Sequence, residues 1–120
     1  MAGGAPMRGD ELKGRTFKTL VEYYTKNYSA GQIAGQFCDV MDGFPHPAHA
    51  EAAQWTMDAA RSMAEDKGFW KRECVSVLSD IKSAATSYLE RQNLDPSDEV
   101  LYDIIQAVVL NFACTPHQEK

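Results

Sequence analysis

"VLYDIIQAVVLNFAC", residues 100–114, is the stretch whose reading decides the fold. Apolar side chains stand at 100, 101, 104 and 105, at every position from 107 to 110, and again at 112 and 113. Wound as a helix they cover most of the circumference, and only Glu99, Asp103 and Gln106 leave a narrow polar stripe. A helix apolar nearly all round is buried on several sides. Either it is the central helix of a bundle, or one of its faces closes on another subunit. Both are expected here, with Val100, Leu101, Ile104, Val108 and Phe112 as the candidate homodimer interface. Asp103 would have a raised pKa if it turned inward, but its alignment with Glu99 and Gln106 reads as solvated. Asp103, Gln106 and Asn111 break the run short of the ~20 apolar residues that span a bilayer.

Working outward, "NLDPSDE" before this helix supplies its start: Asp95 as N-cap, Pro96 as first helical residue, and Asp98 and Glu99 at the positive end of the dipole. Upstream, residues 69–92 repeat a helical stripe of Trp70, Cys74, Val77, Ile81, Ala85 and Leu89. Residues 47–67 carry Ala48, Ala52, Trp55, Ala59 and Met63 on one face, with Pro47 opening the helix and Gly68 closing it. "GFPHPAH" is the clearest break in the chain, because Pro45 holds Phe44 extended.

A second helix begins within "NYSAGQIAGQF", residues 27–37, where Ser29 and Gln32 have the spacing of a capping box. Ile33, Phe37, Val40, Met41 and Phe44 form its apolar face. Ala30, Ala34 and Cys38, beside Gly31 and Gly35, form a row of small residues expected to let another helix approach closely. Two helical glycines cost roughly 1 kcal/mol each relative to alanine, so such a row needs a reason. The first helix, 10–28, aligns Phe17, Leu20, Val21, Tyr24 and Tyr28, with Lys18, Glu22 and Lys26 on the other side. The expected architecture is therefore all-α: one five-helix bundle over 10–114, with flexible segments at 1–9 and 115–120.

Composition excludes more than it identifies. In 120 residues, 44% are hydrophobic and 24% charged, as in ordinary globular domains. The net charge is −5, which opposes general affinity for polyanions, since Lys and Arg must neutralise phosphates. The amino-terminal residues lack the apolar stretch of a secretory signal. The three cysteines, Cys38, Cys74 and Cys114, are widely spaced without a C-x-x-C pair, so reduced thiols in a cytoplasmic setting are expected.

Residues 29–64 resemble a degenerate DNA-binding helix-turn-helix over their first ten positions, through Gln32, Ile33 and Ala34. The pattern then fails: apolar periodicity runs through the place where the turn belongs, and the following helix presents Glu51 and Asp58. Carboxylates repel phosphates, so nucleic-acid binding is disfavoured despite the basic residues Arg8, Lys13, Arg15 and Lys18. His46 and His49 with Asp42 are weak metal-ligand candidates, because a helix start disfavours a cation. Capping by His46 is the simpler role. Cys114 and His117 have C-x-x-H spacing without a second pair. Cys74 and Cys38 read as inert packing cysteines, no nucleophile or phosphate-loop motif is present, and no cofactor is implied. Tyr23 and Tyr102 fit the apolar stripes least well and are candidate partner anchors. The expected function is a non-enzymatic regulatory or adaptor protein acting by protein–protein contact, self-association included. Nucleic-acid regulation is the second reading, and a metal- or small-ligand-binding bundle the third.

Overall fold

The computed structural model describes residues 14–114. The segments 1–9 and 115–120, and positions 10–13 of the expected domain, lie outside the described residues. Among the described residues five α-helices form: α1 Phe17–Asn27, α2 Ala30–Asp42, α3 Pro47–Met63, α4 Cys74–Arg91 and α5 Asp98–Cys114, with a 3-10 turn at Phe69–Lys71. Among the described residues no strand occurs beyond an isolated bridge between Thr16 and Glu73. The all-α bundle is the observed fold.

α5 is the central helix. It packs against each of the other four, and this explains its apolar circumference: neighbours on every side leave little room for a polar face. Val100, Leu101, Ile104, Val108 and Phe112 are all buried inside the protomer. These are the residues expected at a homodimer interface, and the protomer's own helices cover them. The apparent surplus of apolar surface is consumed by α1 to α4, and none of the five side chains faces outward.

The helix starts follow their capping chemistry. Ser29 Oγ accepts from the Gln32 amide at 3.1 Å while the Ser29 amide donates to Gln32 Oε1 at 2.8 Å, a complete capping box. His46 caps α3, its Nδ1 accepting from the Ala48 amide at 3.0 Å with Pro47 next in the chain. α5 starts later than expected. Ser97, not Asp95, accepts from the Val100 amide at 3.3 Å, and the Asp95 carbonyl instead accepts from the Ser97 amide in a tight turn.

Two other departures have physical causes. Residues 64–73 do not continue α3 or begin α4. Phe17 N donates to Arg72 O at 3.0 Å and Cys74 N to Arg15 O at 2.6 Å, so 72 and 73 are extended rather than helical. This detour delivers Phe69 and Trp70 to the rings of Phe17 and Phe112, with all centroid separations in the group between 5.2 and 6.0 Å. The buried stripe of α3 is also rotated from the expected one. Ala52, Ala53, Thr56, Met57 and Ala60 face inward, and Trp55 and Ala59 sit at the edge. Small side chains bring α3 close to α4 and α5, and Thr56 is tolerated because its hydroxyl donates to the Ala52 carbonyl at 2.7 Å.

α2 is the most exposed helix. Ile33 is its one buried residue, with Phe37, Val40, Met41 and Phe44 leaning on the core. The row of Ala30, Ala34 and Cys38 with Gly31 and Gly35 faces outward, and a Cβ built on Gly35 meets nothing. The close helix contact expected along that row is therefore not made within the protomer.

Candidate functional site

α1 lies antiparallel to α5. Phe17 meets Phe112 at 5.6 Å, and at 1.5 Å of rise per residue the later turns of α1 reach the first turns of α5. Four of the five tyrosines gather there. Tyr23 stands edge-on to Tyr24 with centroids 5.5 Å apart, and Tyr24 stacks with Tyr28 at 6.0 Å. Burial, followed by the nearby hydroxyls of Tyr102, Tyr28 and Tyr23, pushes the Tyr24 phenol above its ordinary pKa. Tyr102 is 59% exposed, the most exposed large apolar side chain among the described residues. Of the two anchors read from the sequence, Tyr102 is exposed and Tyr23 half-buried. Tyr24 and Tyr28 complete the surface. Both continue the core stripe of α1 and pack against the core, half-buried.

The surroundings of Tyr102 are acidic. Asp98 and Glu99 are exposed one turn before it, and Asp103 is half-buried beside it. Desolvation, then the like charge of Glu99, raises the Asp103 carboxyl above the usual carboxylate range. Asp103 makes no hydrogen bond or ion pair among the described residues. From residue 92 to residue 114 the chain contains no Lys, Arg or His. On α1, Lys18 and Lys26 are exposed, and Lys26 stands one turn from Tyr23.

A second aromatic group joins α3 to α4. Trp55 stacks on Tyr88 with centroids 4.9 Å apart, and the Arg91 guanidinium lies over both rings, at 5.3 and 5.8 Å. It fastens the outer seam of the two helices by stacking and cation–π attraction.

The remaining candidates are dispersed. His46 spends Nδ1 on its cap, His49 lies 5.8 Å away ring to ring, and Asp42 is exposed at the end of α2. Among the described residues no three metal-ligating side chains come together. The helix-turn-helix reading does not find its geometry, since α2 packs mainly on α5, and α3 on α4 and α5 alike, rather than on one another. The outward face of α3 presents Glu51 and Asp58, Glu65 follows in the turn after it, and Arg61 donates to Asn111 at 2.6 Å.

The cysteines separate by burial. Cys74 is fully buried and its thiol is pushed up to about 11 by desolvation. Cys38, expected to be a packing residue, is exposed, because the small face of α2 points outward. Cys114 is half-buried, its pKa raised by burial and then by Cys38, and His117 lies outside the described residues. Thiolate is the reactive form, so a maleimide at neutral pH should label Cys38 in the folded chain and spare Cys74 until denaturant is added. Mass spectrometry of the labelled peptides checks this; native labelling of Cys74 at the rate of Cys38 would contradict the packing.

No helix among the described residues is long and apolar enough to cross a membrane. No family model matches the chain, and neither the curated proteins nor the solved structures include a significant match to it.

Proposed function

We propose that the protein works by binding another protein, as a regulatory or adaptor component with no catalysis of its own, through the tyrosine surface where α1 meets α5. One observation carries this reading: Tyr102 stands 59% exposed beside Tyr23, Tyr24 and Tyr28. Tyr102 is the exposed ring of this group, with Tyr23, Tyr24 and Tyr28 half-buried, and an aromatic patch at the edge of a core suits an interaction site. Tyrosine suits such a role because it offers a large contact area and a polar tip while losing few rotamers on binding. Self-association through α5 is not carried forward, since its five candidate residues are buried.

The test is selection from an unbiased displayed-peptide library with the purified chain. Peptides retained by the wild type should lose at least tenfold in affinity for Tyr102→Ala, the effect of one interfacial hot-spot side chain of about 1.4 kcal/mol or more. Tyr102 is exposed, so the substitution leaves the core untouched. Retained peptides that bind Tyr102→Ala and Tyr23→Ala as well as the wild type would remove this surface as the site.

A further inference from the structure

We propose that Cys38 and Cys114 are an oxidisable pair, closing to a disulfide that pins α2 to the end of α5 when the chain meets a peroxide. The pair lies at the opposite end of α5 from Tyr102 and does not depend on the tyrosine surface.

Position is the first reason. α5 is the chief packing partner of α2. Cys38 is exposed on the flank of α2, one turn after Ala34, and Cys114 is the last residue of α5, half-buried against the core. The two thiols therefore stand on helices that already hold one another. They are also within electrostatic reach: charge on Cys38 is felt at Cys114, an influence that salt confines to about 10 Å. Cys74 is sealed at the start of α4 and takes no part.

Freedom to close is the second reason. A disulfide needs Cα atoms about 4.4–6.8 Å apart, and both partners can adjust to that distance. Beyond Ile33, α2 is held to the core only by half-buried side chains. Cys114 occupies the terminal turn of α5, where carbonyls lack intrahelical partners and local opening costs little.

Access sets the order of the chemistry. Peroxide reaches the exposed Cys38 first. The Cys38 thiolate attacks one peroxide oxygen, the O–O bond breaks, and the departing hydroxide takes up a proton to leave as water. Burial, then the charge of Cys38, raises the Cys114 pKa, which makes Cys114 the resolving thiol. Its sulfur attacks the Cys38 sulfenic acid, the S–O bond breaks, and the second oxygen leaves as water with the Cys114 proton. Two thiols and one peroxide thus give one disulfide and two waters, sulfur being oxidised and peroxide oxygen reduced.

The experiment treats the full reduced chain with a slight excess of hydrogen peroxide, under native conditions and in urea. The native product should weigh two hydrogens less, yield a linked peptide containing Cys38 and Cys114, and regain its starting mass with dithiothreitol. Cys74 should keep its thiol in the native chain and enter the pairings only in urea. Cys114→Ser should stop at a Cys38 sulfenic acid that dimedone traps, and Cys38→Ser should form no disulfide. Neither residue is fully buried, so both variants keep the core. Amide hydrogens of α2 should exchange at least about threefold more slowly in the linked chain. Wild-type Cys38 that stops at sulfenic or sulfinic acid, pairs between two chains, or joins Cys74 in the native state overturns the proposal. A chain whose thiols all survive the peroxide, or pairing no more selective natively than in urea, overturns it as well. Unchanged exchange in α2 overturns the pinning.

Discussion

Phe17→Ala is expected to lower the unfolding free energy by about 3–5 kcal/mol, a large share of the roughly 5–15 kcal/mol that holds a domain of this size together. Phe17 is fully buried at the first position of α1. Its ring touches Phe69 and Trp70 from the 3-10 turn and Phe112 from the end of α5, so three separate parts of the chain converge on it. Removing it leaves a cavity that cannot collapse easily. Its neighbours are fixed by the backbone bonds from Phe17 to Arg72 and from Cys74 to Arg15, and closing the gap would strain both. The cost should therefore fall in the upper part of the usual range for phenylalanine. Urea titration followed by tryptophan fluorescence reads it directly, because Trp70 is in the cluster. A loss below about 1 kcal/mol would mean the four rings are not packed as described.

That cluster also marks where sequence reading stopped. The class of fold and the number of helices were legible because each helix has a clear period and a chemical start: the Ser29 and Gln32 box, His46 before Pro47, and the apolar circumference of α5. The path between α3 and α4 was not. Phe69 and Trp70 extend the stripe of α4 on paper, and local pattern gives no sign that residues 72 and 73 are held extended by 15 to 17. A long-range backbone pairing outweighed the local periodicity. The small row of α2 failed for a related reason. Alanine and glycine at helical spacing permit a close neighbour but do not attract one, and the stronger stripe of Ile33, Phe37 and Val40 decided which face turned inward.

The candidate site was half legible. Tyr102 stood out because it breaks the apolar pattern of α5, and the structure presents it to solvent. Tyr24 and Tyr28 did not stand out, since they continue the core stripe of α1. Their partial exposure follows from where α1 runs past the start of α5, a tertiary fact with no sequence signal. The acidic neighbours were visible as a stripe, but the burial of Asp103 was not.

Ile104→Ala and Tyr102→Ala form the sharpest contrast available on one helix. The two residues are two positions apart, so they project about 200° from one another around α5. Ile104 is fully buried and Tyr102 is 59% exposed. Ile104→Ala should therefore cost about 2–5 kcal/mol in stability, and Tyr102→Ala no more than about 0.5 kcal/mol. The pair also decides how the apolar surface of α5 is used. Were Ile104 part of a subunit interface, its truncation would weaken association, and the unfolding midpoint of the associating chain would move with protein concentration. Because the side chain is enclosed by the protomer's own helices, the midpoint of Ile104→Ala should fall by the same amount at every concentration. Chemical denaturation at two protein concentrations, with sedimentation velocity on the same samples, distinguishes these outcomes. A concentration-dependent midpoint with an intact helical signal would restore α5 as an interface; a uniform fall assigns Ile104 to the core.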